Sequence, residues 1–268
     1  ARLRRMKSDF RNKVAVITGS ARGIGFAIAA ELGRRGATVA ISDVLEPELE
    51  SARQRLAAEG IDVLARRADI TQQADCDAVV QATLDHAGRI DILVNNAGIS
   101  IVSEFADCSP DTCAKLLDVN VVGSIRMTHA ALDALKASRG NLVFIASVSG
   151  IRAIPTGAAY SASKAALRSL AESLRLELKP HGIHVGVVSP GFTPTESSKT
   201  VLQGDGSTRP IDRPAHDTPE NVASETVALI RGRERERVLT TLGKATFALQ
   251  RLSPTLVDVV LQRMKLKN

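Results

Sequence analysis

The clearest candidates for chemistry in this 268-residue chain are Tyr160 and Lys164, four positions apart, and Ser147, 13 positions before the tyrosine. Side chains four apart on a helix face the same way, so we expect the phenol and the ammonium to act together. A free phenol has a pKa of about 10, and a neighbouring positive charge lowers it. The pair predicts proton transfer to or from an alcohol or carbonyl oxygen, and no other tyrosine competes for that role.

A glycine-spaced turn, Thr18-Gly-Ser-Ala-Arg-Gly-Ile-Gly25, is suited to holding phosphate groups. It follows an apolar β-branched run and precedes apolar residues at helical spacing, so a strand is predicted to end and a helix to begin there. Gly19 permits the tight turn, Gly23 lets the backbone approach a pyrophosphate, and Gly25 lets the helix pack closely. The partial positive charge and free N–H groups of the helix N-terminus favour the same ligand. The predicted dinucleotide site also includes Ala21, Arg22 and Ile24.

Asp43 ends the second predicted strand and favours the dinucleotide interpretation over plain turn chemistry. A carboxylate at this position can accept hydrogen bonds from the ribose hydroxyls of adenosine, and its negative charge repels a 2′-phosphate. Val44 follows where an arginine would neutralise such a phosphate, so the sequence predicts NAD as the preferred cofactor. NADP stays open because the guanidinium of Arg22 could reach the same region. The alternative for Asp43 is a polar residue in the turn before the next helix.

Short apolar strands and amphipathic helices alternate along the chain as far as Ser189. Strands are predicted at 13–18, 37–42, 62–68, 90–95, 141–146 and 183–189, and helices at about 24–35, 46–59, 73–87, 110–137 and 157–179. Strands separated by helices pair in parallel through right-handed crossovers. We therefore predict an α/β fold, a single-domain doubly wound parallel sheet of Rossmann type with helices on both faces, whose ligands bind at the carboxyl ends of the strands.

The predicted parts of the chain are a basic N-terminal tail at 1–12, the Rossmann-type domain at 13–242 and a C-terminal helical extension at 243–268. Within the domain, 191–217 is rich in proline and polar residues and is predicted to be a long loop beside the substrate. A helix at 219–230 and an edge strand at 237–242 follow. The final helix carries an apolar stripe, which we expect to dock on the domain or on a second subunit, with peripheral membrane contact as the alternative.

The net charge of +6 belongs to the two ends of the chain. Residues 1–13 carry six basic side chains and one acidic side chain. Residues 231–268 carry nine basic and three acidic side chains, so the body between the two ends is acidic. An acidic body with basic ends, in a chain of only one tyrosine and six phenylalanines, disfavours nucleic-acid binding. No apolar run is long enough to span a membrane, no hydrophobic signal segment follows the first residues, and the three cysteines lack metal-ligand spacing. We expect a cytoplasmic protein without a metal site or a disulfide framework.

A series of motifs, in this order and spacing, resembles the classical short-chain dehydrogenase/reductase family. The motifs are the G-x-x-x-G-x-G turn from Gly19, Asp69-Ile-Thr71, Asn95-Asn-Ala-Gly98, Asn120, Ser147, Tyr160-x-x-x-Lys164 and Pro190-Gly191. Each motif alone is weak, whereas the series through about residue 191 is strong. The resemblance implies the same doubly wound fold and a homo-oligomer, either a dimer or a tetramer.

The resemblance implies a role for each candidate residue. Tyr160 is expected to act as general acid and base, Ser147 to hold and polarise the substrate oxygen, and Lys164 to bind the nicotinamide ribose. Lys164 and the nicotinamide cation together are expected to lower the phenol pKa. Asn120 is expected to support a water that links the lysine to solvent, and the cofactor to supply the hydride. Further cofactor contacts are implied for Asp69, Ile70, Asn96, Ala97, Gly98, Pro190, Gly191, Thr193 and Thr195, besides Tyr160 and Lys164.

Substrate identity is expected to depend on the loop after Gly191 and on the segment 148–156. The second is mostly apolar with one charged residue, Arg152, which predicts a lipophilic ketone or secondary alcohol. A 3-oxoacyl thioester reductase is the main rival, because a basic surface would attract an acidic carrier protein. A dinucleotide-binding regulator without catalysis is a third alternative, and the intact set of four candidate catalytic residues argues against it.

Overall fold

A seven-stranded parallel sheet forms the centre of the protein in the computed structural model, which describes residues 9–193, 200–210, 217–241, 249, 252, 253, 255 and 257–259. The strands are β1 (Val14–Thr18), β2 (Thr38–Asp43), β3 (Val63–Arg67), β4 (Ile92–Asn95), β5 (Asn141–Ile145), β6 (His184–Ser189), β7 (Thr200–Leu202), β8 (Thr208–Pro210) and β9 (Glu236–Val238). The spatial order of the large sheet is β3-β2-β1-β4-β5-β6-β9, and β7 and β8 form a separate hairpin. The predicted Rossmann-type fold is confirmed.

Helices cover both faces of this sheet. Those in the described residues are α1 (Gly23–Arg34), α2 (Glu46–Ala58), α3 (Gln73–Ala87), α4 (Pro110–Leu117), α5 (Ser124–Ser138), α6 (Ala158–Glu177) and α7 (Pro219–Gly232). Helices α1, α2 and α7 pack on one face, and α3, α5 and α6 pack on the other. Because successive side chains of a strand point to opposite faces, Ile17 is buried with the first group and Val16 with the second.

The strand order reverses between β1 and β4. Strands β2 and β3 lie on one side of β1, and β4, β5 and β6 lie on the other. In open α/β sheets, ligands bind beyond the carboxyl ends of the strands at such a reversal. Thr18 and Asn95 end the two central strands, and the glycine turn follows Thr18 directly. The expected ligand-binding crevice therefore lies beside the glycine turn.

The single helix predicted at 110–137 is wrong, because a π-helical segment, Asp118–Gly123, separates α4 from α5. The hydroxyl of Ser124 donates to the carbonyl of Asn120 at 2.9 Å, and the Asn120 side chain is hydrogen-bonded to the backbone of Ile99. The Ser124 hydroxyl thus shares a carbonyl of the helical backbone, and the Asn120 side chain joins the segment to the chain after β4.

The loop predicted at 191–217 contains the β7–β8 hairpin, which the sequence did not indicate. The hairpin packs on the segment after β4. The N–H of Leu202 donates to the carbonyl of Ser100 at 2.9 Å, and the N–H of Val102 donates to the carbonyl of Leu202 at 3.0 Å. The strands hold three residues each, which is too short for an alternating pattern to stand out.

The end of the chain packs on the domain where it is described. Strand β9 pairs with β6 over Glu236–Val238, so it begins one residue earlier and is shorter than the edge strand predicted at 237–242. Val257 is buried, and Asp258 forms an ion pair with Arg152. This part of the C-terminal extension therefore contacts the chain itself. The rest of the predicted final helix, and residues 1–8 of the predicted tail, lie outside the described residues.

Two general features concern only the described part of the chain. None of its helices is both long enough and apolar enough to cross a membrane. Its His, Cys, Asp and Glu side chains form no group of three or more that could hold a metal ion.

Asp91 anchors the start of the sheet from a buried position, with its side chain 2% exposed. Its carboxylate accepts hydrogen bonds from Arg89 Nη2 at 2.6 Å, from Lys13 Nζ at 2.8 Å and from the N–H of Val14 at 3.1 Å. Burial alone would raise the pKa of Asp91, but these hydrogen bonds together hold the pKa below its ordinary value. Asp91→Ala removes these charged hydrogen bonds and leaves the N–H of Val14 without its acceptor, so we expect it to cost about 2 kcal/mol of stability at pH 7.

This stabilisation depends on pH with a defined sign. Because the folded-state pKa of Asp91 is lowered, its contribution is present above the unfolded pKa of about 4 and is lost as the pH falls through the folded value. Urea unfolding of the wild type and Asp91→Ala at pH 7 and at about pH 3 measures it. Asp133→Ala, which removes an exposed ion pair with Lys136, is the control and should change little. A wild-type advantage that does not shrink in acid would contradict the electrostatic origin.

Candidate active site

The glycine turn is tight and closely packed where α1 begins. Gly19 and Gly23 have φ of +63° and +59°, a backbone region that favours glycine. A methyl group on Gly25 would stand 2.3 Å from the carbonyl oxygen of Gly19 and 2.6 Å from Asn96 Nδ2. Within the described residues, α1 begins after Arg22 with no side-chain cap and no acidic residue in its first turn. An uncapped helix start beside a tight turn fits the pyrophosphate of a dinucleotide.

Asp43 closes the glycine turn from the end of β2. Its Oδ2 accepts from the N–H of Ala21 at 3.1 Å, and its Oδ1 accepts from the N–H of Leu45 at 3.2 Å. Each carboxylate oxygen has a second lone pair that can accept from a ribose hydroxyl. The exposed Arg67 lies directly beside Asp43 in the register of β2 and β3. The sequence did not indicate this neighbour, because the two residues belong to different strands. Ile24 packs against the core under α1.

The residues after β4 hold the glycine turn from the opposite side. Asn96 Nδ2 donates to the carbonyls of Thr18 and Gly19 at 2.8 and 2.9 Å. Thr18 Oγ1 accepts from the N–H groups of Asn96 and Ala97 at 3.1 and 3.0 Å. Asn96 thus fixes the shape of the turn. Thr18 is a site residue that was not predicted, since a threonine at the end of a strand carries no signal by itself.

Asp69 and Ile70 lie after β3, where the resemblance implies the adenine. Asp69 Oδ1 accepts from the N–H and the hydroxyl of Thr71 at 2.9 and 2.8 Å, and its own N–H donates to Asp75 at 2.8 Å. Ile70 is buried, and its side chain lies directly against Gly123 in the π-helical segment. Both residues therefore belong to a well-bonded loop at the edge of the crevice, and their contact with adenine stays a prediction.

Tyr160 and Ser147 share a hydrogen bond beside the end of β5. Ser147 is buried, and its Oγ also accepts from the N–H of Ser149 at 3.1 Å. Burial raises the pKa of Tyr160, and the hydrogen bond with Ser147 opposes that rise. The lowered pKa expected from Lys164 and the nicotinamide cation together concerns the cofactor-bound protein and stays a prediction. Lys164 Nζ lies 5.8 Å from the centroid of the tyrosine ring.

Lys164 and Asn120 are both buried, and both lie close to Gly98. Lys164 Nζ donates to the carbonyl of Ile145 at 3.0 Å. Asn120 Oδ1 accepts from the N–H of Ile99 at 2.8 Å, and its Nδ2 donates to the carbonyl of Ile99 at 2.9 Å. A methyl group on Gly98 would stand 3.0 Å from Asn120 Oδ1 and 3.5 Å from Lys164 Nζ. Three of the predicted site residues therefore converge here.

The turn after β6 carries the remaining predicted cofactor contacts. The N–H of Val148 donates to the carbonyl of Pro190 at 3.0 Å, which ties this turn to the segment after β5. Thr193 is buried, and its Oγ1 donates to the carbonyl of Gly191 at 3.2 Å. Thr195 lies outside the described residues.

An apolar cluster packs against Tyr160. Its buried members are Ile101, Leu116 and Leu202, and Ile99, Cys108 and Ala159 complete it. Leu202 belongs to β7, so the unpredicted hairpin contributes one wall. The cluster offers an apolar surface beside the phenol, which suits the non-reacting part of a lipophilic molecule.

The fold and the site define an NAD(P)-binding oxidoreductase of Rossmann type. The chain belongs to the short-chain dehydrogenase family, because the family model described as short chain dehydrogenase matches residues 13–206. It is 31% identical to the Drosophila melanogaster protein named dehydrogenase/reductase SDR family protein 7-like, over 98% of this chain and 83% of the relative. It is 37% identical to the 11-beta-hydroxysteroid dehydrogenase A of Sesamum indicum, over 78% of this chain and 60% of the relative.

Solved structures share the same architecture. A short chain dehydrogenase/reductase from Burkholderia phymatum in complex with NAD has a TM-score of 0.83 and 26% identity, over 92% of this chain and 96% of that one. An alcohol dehydrogenase from Thermococcus sibiricus complexed with 5-hydroxy-NADP has a TM-score of 0.75 and 27% identity, over 86% of this chain and 97% of that one. A 3-ketoacyl-(acyl-carrier-protein) reductase from Brucella melitensis complexed with NADH has a TM-score of 0.77 and 27% identity, over 87% of this chain and 98% of that one. Both NAD-type and NADP-type ligands occur among these neighbours.

Proposed function

We propose that this protein transfers a hydride between a nicotinamide cofactor and a secondary alcohol or ketone, with NAD preferred over NADP. The main observation behind the proposal is the hydrogen bond between Tyr160 and Ser147, with Nζ of the buried Lys164 5.8 Å from the tyrosine ring. These groups lie beside the end of β5, next to the crevice of the glycine turn. A phenol and a hydroxyl in contact can together hold one substrate oxygen and exchange a proton with it.

Each residue of the set has a distinct task in the proposed reaction. Ser147, oriented by the N–H of Ser149, holds the substrate oxygen. Tyr160 removes the hydroxyl proton of an alcohol, or returns a proton to the oxygen of a ketone. The bound cofactor supplies the hydride acceptor or donor and, when oxidised, a positive charge in the site. The ammonium of Lys164 adds to that charge, and together the two favour the phenolate against the effect of burial.

Lys164 and Asn120 position the groups around the phenol. The hydrogen bond from Lys164 Nζ to Ile145 holds the ammonium at a fixed position. Two hydrogen bonds join the Asn120 side chain to the backbone of Ile99, the residue after Gly98. Asn120 therefore holds the backbone segment next to Lys164 in place. We also propose that Asn120 binds a water molecule that links Lys164 to solvent.

The proposed substrate is lipophilic. The apolar cluster that packs against Tyr160 favours this class, and the name of the sesame relative describes a steroid dehydrogenase. That relative is only 60% covered by this chain, so the proposal extends to lipophilic alcohols and ketones in general. A 3-oxoacyl thioester is the second candidate, because the Brucella neighbour is named as a ketoacyl reductase.

A substrate panel tests the proposed function. The full chain is mixed with NAD or NADP and with secondary alcohols from short to steroid size, and in reverse with NADH or NADPH and ketones or 3-oxoacyl thioesters. We expect turnover, followed by the absorbance of the reduced nicotinamide, to be highest with lipophilic alcohols and ketones. Preference for thioesters would support the reductase alternative. Cofactor binding without turnover across the whole panel would contradict the enzyme and favour a regulator.

Asp43 is predicted to set the cofactor preference. Asp43→Asn keeps an acceptor for Ala21 but removes the negative charge that repels a 2′-phosphate, beside Arg67 and near Arg22. Charged hydrogen bonds contribute roughly 1.5–3 kcal/mol, so we expect NAD to bind about tenfold more weakly and NADP about tenfold more tightly. Calorimetric Kd values for both cofactors measure the change. Asp77→Asn, an exposed acid on α3, is the control, and an unchanged NAD to NADP ratio in Asp43→Asn would contradict the assignment.

A further inference from the structure

Cys108 and Cys113 stand with their sulfur atoms 3.0 Å apart at the start of α4. Cys108 comes immediately before Ser109, whose hydroxyl caps the helix by accepting from the N–H of Thr112 at 3.1 Å. The N–H of Cys113 donates to the carbonyl of Ser109 at 3.1 Å. The helix start therefore brings two thiols five positions apart into contact. The odd cysteine count gave no hint of this pairing.

Both thiols of the pair are partly exposed, whereas the third cysteine of the chain is not. Cys76 is buried, and its Sγ donates to the carbonyl of Ile70 at 3.7 Å. Burial and the neighbouring Cys113 raise the pKa of Cys108 to about 11, so this thiol is protonated at neutral pH. Because Cys108 and Cys113 are partly exposed, an oxidant in solution can reach this pair more readily than the buried Cys76.

We propose that Cys108 and Cys113 form a reversible oxidation site, which a peroxide converts to an intramolecular disulfide. A disulfide bond is about 2.05 Å long, so the two sulfur atoms need to approach by only about 1 Å. The proposal does not depend on the proposed oxidoreductase function.

The oxidation proceeds in two balanced steps. Cys113, as the thiolate, attacks an oxygen of hydrogen peroxide, so that an S–O bond forms, the O–O bond breaks, and the leaving hydroxide takes up a proton to become water. Cys108 then loses its proton to the departing hydroxide as its sulfur attacks the sulfenic sulfur, so that the S–S bond forms, the S–O bond breaks, and a second water leaves. The two thiols give up two electrons and two protons, and one peroxide becomes two waters. A dithiol reductant reverses the change by exchange.

The pair lies where the β7–β8 hairpin packs on the domain. The N–H of Ser109, next to Cys108, donates to the carbonyl of Gly204 in the hairpin turn at 2.9 Å. Cys108 also packs against the apolar cluster that contains Leu202 and Tyr160. A disulfide would tie the residue before Ser109 to α4 and restrict local opening of this contact. We therefore expect oxidation to make the hairpin open less often.

Peptide mass spectrometry of the full chain tests the oxidation site. Trypsin leaves both cysteines in the peptide 90–115, which has no internal Lys or Arg, and leaves Cys76 in 68–89. After reduction, a modest excess of hydrogen peroxide and alkylation in denaturant, 90–115 should lack two hydrogens and carry no alkyl group, whereas Cys76 should be alkylated. Dithiothreitol should restore both alkylation sites. A sulfinic or sulfonic acid at either residue, free thiols after treatment, or a disulfide between two chains would overturn the proposal.

Single variants and hydrogen exchange test the pair and its effect on the hairpin. Cys108→Ser and Cys113→Ser should each abolish the disulfide, and Cys76→Ser should keep it. In the oxidised wild type, the amides of 200–207 should exchange about fivefold more slowly than in the reduced protein. Peroxide-treated Cys113→Ser, which cannot close the disulfide, is the control and should show no change. A disulfide that forms without slowing this exchange would overturn the coupling to the hairpin.

Discussion

A Tyr160→Phe variant is expected to lose about 10³-fold or more in kcat while it binds the cofactor as tightly as the wild type. The change removes one oxygen, the one in hydrogen-bond contact with Ser147, and keeps the ring against the apolar cluster. General acid–base catalysis contributes roughly 10² to 10⁴-fold, and we expect the upper part of this range because the chain holds no second tyrosine. Initial rates with the best substrate of the panel, and the Kd for NAD, measure the two effects separately.

Ser149→Ala is the matched control for this variant. Ser149 contacts Ser147 through its backbone N–H, so the substitution removes a nearby buried hydroxyl without removing that hydrogen bond. We expect its kcat to stay within about twofold of the wild type. Thermal unfolding of both variants shows whether the domain is intact. A folded Tyr160→Phe protein with nearly normal kcat would rule out the acid–base role of the phenol.

Titration of the single tyrosine distinguishes what the protein does to the phenol from what the cofactor does. Because burial raises the pKa of Tyr160, the phenolate absorbance of the protein alone should appear above the ordinary value of about 10. Saturating oxidised cofactor should move the transition to lower pH, since a positive charge favours the phenolate. Lys164→Met, measured in the same way, should reduce that shift. A transition that does not move on cofactor binding would contradict the proposed activation of the phenol.

The sheet and its helices could be predicted because each element is long enough to show its own period. The strand predicted at 141–146 is observed at Asn141–Ile145, and the helix predicted at 46–59 is observed at Glu46–Ala58. Parallel pairing follows from the helices between the strands, which leave no short connection for an antiparallel pair. The location of the site at the carboxyl ends of the strands then follows from the fold.

The features that were not predicted depend on contacts between residues far apart in the chain. The β7–β8 hairpin is held by backbone hydrogen bonding between Leu202 and Ser100, and a pairing between such distant residues cannot be read from a local sequence pattern. The π-helical segment contains Asn120, whose side chain is hydrogen-bonded to the distant Ile99. The raised pKa of Tyr160 is a consequence of burial, and a sequence pattern shows neighbouring charges more readily than burial. Local periodicity therefore predicts the scaffold, whereas the exact chemistry of the site depends on tertiary packing.

Gly25→Ala is expected to weaken cofactor binding about 100-fold. The added methyl group would stand 2.3 Å from the carbonyl oxygen of Gly19 and 2.6 Å from Asn96 Nδ2, so the turn or the helix start must move. That movement strains the hydrogen bonds from Asn96 to Thr18 and Gly19, each worth about 1 kcal/mol, and adds an overpacking cost of about 1 kcal/mol or more. A sum near 3 kcal/mol corresponds to about 100-fold in Kd if the bound pyrophosphate needs the wild-type turn.

Gly232→Ala provides the comparison for Gly25→Ala. Gly232 ends α7, and the atoms nearest to a methyl group there belong to the flexible side chain of Glu234, at 3.0 Å or more, so cofactor affinity should be unchanged. Calorimetric Kd values for NAD, together with thermal unfolding, compare the two variants and the wild type. Because the methyl of Gly25→Ala must displace the turn backbone, a ligand that contacts this turn cannot keep its affinity. Equal affinity in Gly25→Ala and the wild type would therefore place the pyrophosphate away from the glycine turn.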